Sequence, residues 1–138
     1  MAAAYVAVDT DVFSFIFKGA PQAEFFKPHL QNRILAVSFM TVAELYYGAY
    51  KRGWSTKNLA RLEQQLRSYV VLPFDYAVCQ QWAHVKVECE KVGISMSIPD
   101  TWHAACALAH QCPLATNNGR HFRAVRNLEL ITPGFTPL

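Results

Sequence analysis

Tyr5-Val-Ala-Val-Asp-Thr-Asp-Val-Phe13 is the stretch that decides the fold. Its β-prone residues run without polar alternation and stop at Asp9; Val12, Phe13, Phe15, Ile16 and Phe17 then crowd into a short helical pattern. A strand with no polar face is buried on both sides, as strands of a parallel sheet are when helices cover both faces. Asp9 therefore falls where a strand hands over to a helix, at the sheet edge where ligands bind.

Outward from this stretch the pattern repeats. Gly19-Ala-Pro21 stops the first helix, and residues 21–31 read as a second helical segment. Ile34-Leu-Ala-Val37 is another buried strand, followed by a helix from Thr41 to Arg52 that ends at Gly53. Ser55 to Tyr69 carries Leu59, Leu62 and Leu66 at helical spacing with charges between them, the pattern of an amphipathic helix. Val70-Val-Leu72 predicts a third strand. Asp75 to Lys91 predicts a long helix with Val78, Trp82, Val85 and Cys89 on one face, and Pro99 to Gln111 a further one. Leu114-Ala-Thr116 and Leu128-Glu-Leu-Ile131 predict late strands. Strands alternating with helices make an α/β domain, with a parallel sheet of about five strands covered on both faces. A chain of 138 residues suits one compact domain, taken as residues 1–138.

Composition narrows the class. With 52% hydrophobic and 17% charged residues, intrinsic disorder is excluded. No apolar run approaches the ~18 residues of a membrane span, so no membrane partner is expected. Met1 to Val8 has no basic leader and meets Asp9 before a signal core can form, which predicts a cytoplasmic location. Cys79, Cys89, Cys106 and Cys112 have no paired spacing and read as free thiols. The net charge of +3 permits contact with nucleic acid without requiring it. Neither a Walker-type loop nor a G-x-G-x-x-G is present, so nucleotide readings have no support.

Among only ten acids, three fall just after a strand or at the head of a helix: Asp9, Glu44 and Asp100, with Asp11 a fourth candidate. Each has an ordinary alternative. Thr41-Val-Ala-Glu44 and Ser97-Ile-Pro-Asp100 match capping boxes, and Asp9 can cap the helix after it. Taken together they are harder to explain as caps. Three carboxylates at one sheet edge repel one another, and a hard divalent ion, Mg²⁺ or Mn²⁺, relieves that repulsion. Such an ion with open positions suits phosphodiester hydrolysis.

Asp9-Thr-Asp-Val-Phe13, Thr41-Val-Ala-Glu44-Leu45 with Tyr47-Gly48, Pro99-Asp-Thr-Trp-His-Ala-Ala105 and Thr116-Asn-Asn-Gly-Arg-His-Phe122 occur in that order. Together they resemble the PIN-domain nucleases, and among them the VapC-type toxins of bacterial and archaeal toxin–antitoxin pairs. The resemblance implies a PIN-like three-layer α/β/α fold and a metal-dependent endoribonuclease acting on RNA. Asp9, Glu44 and Asp100 match the family's acidic metal positions, while Thr10 and Asn118 match its supporting polar positions. It also implies a homodimer and a cognate VapB-like antitoxin. Two positions depart from the family pattern: His121 stands where a further Asp is common, and His103 where an aliphatic residue is usual. A single ion in the free enzyme, joined by a second on RNA phosphate, is expected from the first departure. His103 reads as a partly buried structural histidine, since His103, Cys106 and His110 lack the ligand set of a zinc site.

Arg120, Arg123 and Arg126 recur every third residue beside Asn118 and His121, forming one basic stripe for RNA phosphates if the segment is helical. Lys51, Arg52 and Lys57 make a second basic cluster. The aromatic residues from Phe13 to Trp54 exceed what one small core can bury, which predicts an exposed apolar groove for a partner helix or a second copy. Two rival readings remain. Val8-Asp-Thr-Asp-Val12 fits the opening of haloacid-dehalogenase-type phosphatases, with Asp9 as nucleophile and Asp11 as acid/base, although no later acid pair follows. The other is a non-catalytic PIN-like module that binds RNA or protein.

Overall fold

The computed structural model describes residues 5–134. The ends of the predicted 1–138 domain, including the first four residues of the leader reading, lie outside the described residues. Five strands form one sheet: β1 (Tyr5–Val8), β2 (Ile34–Ser38), β3 (Val70–Leu72), β4 (Leu114–Ala115) and β5 (Leu130–Ile131). Every pairing is parallel, in the order β3-β2-β1-β4-β5. Six helices connect them: α1 (Thr10–Lys18), α2 (Ala23–Leu30), α3 (Phe39–Lys51), α4 (Thr56–Leu66), α5 (Tyr76–Lys91) and α6 (Ile98–Ala109). A single turn of 3-10 helix, Gly119–Phe122, lies between β4 and β5.

Side-chain alternation along the strands builds the three layers. Val6 and Val8 of β1, Val37 of β2 and Ala115 of β4 point to one face, where they pack with Phe13 of α1, Phe26 of α2, Ala49 of α3 and Leu62 of α4. Ala7, Ala36, Leu72 and Leu114 point to the other, against Val78, Val85 and Cys89 of α5 and Ala104 to Ala107 of α6. Small residues on both sides of this second contact let α6 lie close on the sheet. The predicted apolar face of α5 is the buried one.

The helix starts differ from expectation for a local reason. The helix predicted from Thr41 begins at Phe39, because Ser38 is the cap and its Oγ accepts the Thr41 N–H at 3.1 Å. Thr41-Val-Ala-Glu44 is therefore not a capping box, and Glu44 lies a turn inside the helix. Ser97 does cap α6, accepting the Asp100 N–H at 3.2 Å, but the Asp100 carboxylate turns elsewhere. Gly19 closes α1 in the left-handed region at φ +66°, which only glycine adopts without cost.

Connectivity leaves a crevice. From β1 the chain builds outward through β2 to β3, then returns to the other side of β1 for β4 and β5. The carboxyl ends of β1 and β4 are the topological switch point, where α/β sheets bind ligands. Asp9 follows β1 there and Thr116 follows β4, with Ser38 ending β2.

Candidate active site

Asp9 is 5% exposed, with both carboxylate oxygens engaged. Oδ1 accepts the Thr10 N–H at 2.8 Å, and Oδ2 accepts the Thr116 hydroxyl at 2.7 Å. Parallel pairing of Val8 with Ala115 sets this contact, because the next residue of each strand must then meet at the sheet edge. Asp9 thus caps α1 and faces the crevice with the same group.

Asp100 reaches the crevice from the first turn of α6. His103, one turn further along the same helix, joins it. One ligand atom from each of Asp9, Asp100 and His103 lies within 4.8 Å of the others. Glu44, from α3, meets this group through His103: its Oε1 accepts from His103 Nε2 at 2.9 Å and from the Thr10 hydroxyl at 2.8 Å. Asp9 and Asp100 converge directly, whereas Glu44 is linked by an imidazole. The Asp100 carboxylate also lies 3.1 Å from His121 Nδ1.

Asp11 holds the adjoining loop. Its Oδ2 accepts the Asn117 N–H at 3.1 Å and the Asn118 Nδ2–H at 3.0 Å, and the Asn118 N–H donates to the Thr116 hydroxyl at 3.1 Å. Asn118 supports the site through Asp11 and Thr116. A cavity of about 700 Å³ opens beside Asp100, lined by Asn117, Asn118, Arg120, His121 and Arg123. Arg126 does not line it; the helical turn ends at Phe122, and Arg126 reaches Glu88 at 3.4 Å instead. The expected stripe of three arginines is a pair. A second cavity of about 600 Å³ opens on Thr10 and Glu44, with Phe13, Phe17, Tyr47 and Trp54 among its walls and Lys18, Lys51 and Arg52 at its rim. Lys57 is not part of it.

Burial and charge crowding shift the titrations. Burial pushes Asp9 up, opposed by the His103 charge and the two hydrogen bonds. Burial and the neighbouring Asp9 raise Asp11 to about 6. Burial alone would raise Glu44, but hydrogen bonds from His103 and Thr10 and the His103 charge hold it below its ordinary value. Burial alone would lower His103, but the Glu44 hydrogen bond and the charges of Asp9, Glu44 and Asp100 raise it. The two raised aspartates contribute stability at low pH that is lost as pH climbs, through the window from 3.8 to about 6 for Asp11. The raised His103 contributes stability fully present below 6.5 and lost as pH passes its folded value. Glu44 has already given its contribution above 4.5. The metal-free protein is therefore expected to melt lower at pH 8 than at pH 6, by about 3–5 °C for each kcal/mol lost. Added Mn²⁺ should restore the loss. Thermal melts in EDTA at the two pH values check this; a higher melting temperature at pH 8 contradicts it.

The donor chemistry, carboxylate oxygens and an imidazole nitrogen around one point, fits a divalent ion. The phosphatase reading fits poorly. Asp9 is buried with both oxygens committed, and Asp11 is turned toward Asn117 and Asn118 rather than beside it. A zinc site on α6 fails too, since Cys106 is fully buried in the core beneath the helix. All four cysteines are free thiols, as expected.

Residues 6–128 match the family described as the PIN domain. The chain belongs to the PIN domain family. Ribonuclease VapC2 of Haemophilus influenzae is 30% identical to this PIN domain over 118 residues, covering 86% of the chain and 89% of that protein. The tRNA(fMet)-specific endonuclease VapC of Shigella flexneri is 28% identical over 121 residues, covering 88% and 92%. The solved structure of VapBC-1 from nontypeable Haemophilus influenzae superposes with a TM-score of 0.80 at 25% identity, over 93% of this chain and 97% of that one. Relatives of this PIN domain thus include VapC ribonucleases, and its solved neighbours include VapBC structures.

Two parts of the site were not read from the sequence. The sequence reading of His103 as a partly buried structural histidine does not include its ring facing the acids; its position three residues after Asp100 on one helix is the available signal. Thr116 and Ser38 carry no mark of the site in the sequence, where nothing pairs them with residues so far away. Among the described residues no helix is long and apolar enough to cross a membrane.

Proposed function

We propose that this PIN domain is a VapC-type toxin: an endoribonuclease that uses Mg²⁺ or Mn²⁺ and is neutralised by a VapB-like antitoxin. The observation that carries the reading is the meeting of Asp9 and Asp100 at the switch point, beside a cavity rimmed by two arginines. A bound divalent ion supplies Lewis-acid stabilisation of the phosphoryl oxygens and a water acidic enough to attack. Asp9 and Asp100 would hold it, with Glu44 beside them. Thr10 and Thr116 fix the Asp9 carboxylate, and the Thr10 hydroxyl orients Glu44. His121 orients Asp100 from the solvent side. Arg120 and Arg123 bind the RNA phosphates that flank the scissile bond, aligning it with the acids.

The apolar cavity beside Glu44 is suited to an antitoxin helix. Phe17 stacks on Trp54 at its wall, and Tyr47 is 66% exposed there. An antitoxin arginine or lysine reaching Glu44 and Asp9 would replace the charge of the ion. A homodimer is the proposed assembly of the toxin. Phe74, Tyr76, Val92 and Ile98, all 60% exposed or more, are among the apolar side chains available to it on the α5–α6 side.

The test is cleavage of a structured RNA by the purified chain with Mg²⁺ or Mn²⁺, expected to stop with EDTA and resume with excess ion. RNA that binds but is never cut favours the non-catalytic module. Arg120→Ala and Arg123→Ala are each expected to raise KM about three- to tenfold and to flatten the salt dependence by about one ion. KM measured at several salt concentrations checks this; an unchanged salt slope removes the arginines from the RNA path.

A further inference from the structure

Of the groups that face the acid cluster, His103 is the one to which the reading above gives no role. Its side chain is 3% exposed, and its two nitrogens have different surroundings. Nε2 lies 2.9 Å from Glu44 Oε1 and 3.5 Å from Asp9 Oδ1. Nδ1 lies 2.8 Å from Ser38 Oγ. Ser38 Oγ already accepts the Thr41 N–H at 3.1 Å and can accept Nδ1–H as well, its own proton turning to the Thr41 hydroxyl at 3.5 Å. That chain of hydrogen bonds lets Nδ1 keep its proton on Ser38 when Nε2, which donates to Glu44 in the absence of an ion, gives up its own. It is the arrangement of a ligating histidine, whose far nitrogen is held by a polar neighbour.

We propose that His103 Nε2 is a direct ligand of the ion alongside Asp9 and Asp100, making a mixed nitrogen–oxygen centre that prefers Mn²⁺ to Mg²⁺. The inference rests on the metal-dependent reading above. Mg²⁺ takes oxygen ligands and accepts imidazole poorly, whereas Mn²⁺ and the later transition ions accept it more readily. When the ion enters, any proton on Nε2 leaves to solvent and the freed lone pair binds the ion. Glu44 Oε1 then loses the His103 hydrogen bond and keeps that of Thr10. The same ring that bridges Asp9 and Glu44 without an ion becomes part of the first coordination sphere with one.

Electron spin-echo envelope modulation of Mn²⁺ added to the purified chain reads this directly. Nitrogen modulation is expected, and it should change to the ¹⁵N pattern when histidine alone is ¹⁵N-labelled. It should persist in His121→Ala, an exposed position, and vanish in His103→Leu. By calorimetry, His103→Leu should lower the Mn²⁺-over-Mg²⁺ affinity ratio about tenfold. If His103→Leu does not fold, the labelled wild type and His121→Ala decide alone. Bound Mn²⁺ with no histidine modulation, or modulation lost in His121→Ala, overturns the proposal and leaves the acid-held ion standing. No Mn²⁺ binding at all overturns the metal-dependent reading and this inference with it.

Discussion

Asp100→Ala is expected to lower RNA cleavage by about a thousandfold or more while leaving the chain folded, because several kcal/mol of charge stabilisation at the phosphoryl group pass through this carboxylate. The fold tolerates the change for reasons visible at the head of α6. The cap is made by Ser97 Oγ with the Asp100 backbone N–H at 3.2 Å, and Ala keeps that bond. What is lost is the favourable placement of a negative side chain in the first turn, about 0.3–1 kcal/mol. What is relieved is repulsion between Asp100 and Asp9. Single-turnover cleavage at saturating Mn²⁺, with circular dichroism on the same preparation, measures both. Cleavage within tenfold of wild type in a folded variant would remove Asp100 from the site.

Asp9→Asn should abolish cleavage to a similar degree and, unlike most buried substitutions, raise the melting temperature of the metal-free protein at pH 8. Asp9 is 5% exposed, and its burial pushes the pKa up, so above that pKa folding must carry a charge into a buried position near the Asp100 carboxylate. Asn keeps the shape. Its Oδ1 can still accept the Thr10 N–H, and its Nδ2 can donate to the Thr116 hydroxyl, which then directs its own proton elsewhere. The gain is about 1 kcal/mol, the scale at which relaxing a functional site stabilises a protein. The sign reverses the usual carboxylate case. A raised folded pKa means that stability is intact at low pH and lost as pH rises, so the gain from Asn should shrink at pH 5. Melts in EDTA at pH 5 and pH 8 decide. A variant less stable than wild type at both would mean that hydrogen bonds to the Asp9 carboxylate outweigh its burial.

The two carboxylates illustrate how far reading along the chain can go. Asp9 was legible because strand and helix patterns have sharp periods, and an acid at the junction of Val8 and Val12 has few places to be. Asp100 was legible from Ser97 and Pro99, which mark a helix start. The sequence places Glu44 on the correct helix but offers Thr41 as the cap that Ser38 makes, because both hydroxyls lie close enough to the start of an apolar run. The arginine stripe failed at Arg126 for a similar reason: spacing of three gives one face only while the backbone stays helical, and here it stays so for four residues.

Local pattern determined the elements, their order, the parallel sheet and the acids at strand and helix junctions, since propensity, capping and burial period depend on neighbours within a few residues. Only the tertiary structure decided that β1 lies between β2 and β4, and with it that Thr116 meets Asp9 across 107 residues and Ser38 meets His103 across 65. Strand order and helix tilt are set by how whole faces pack. For that reason the imidazole at the centre of the acids is a product of the fold, however plainly each acid stands in the chain.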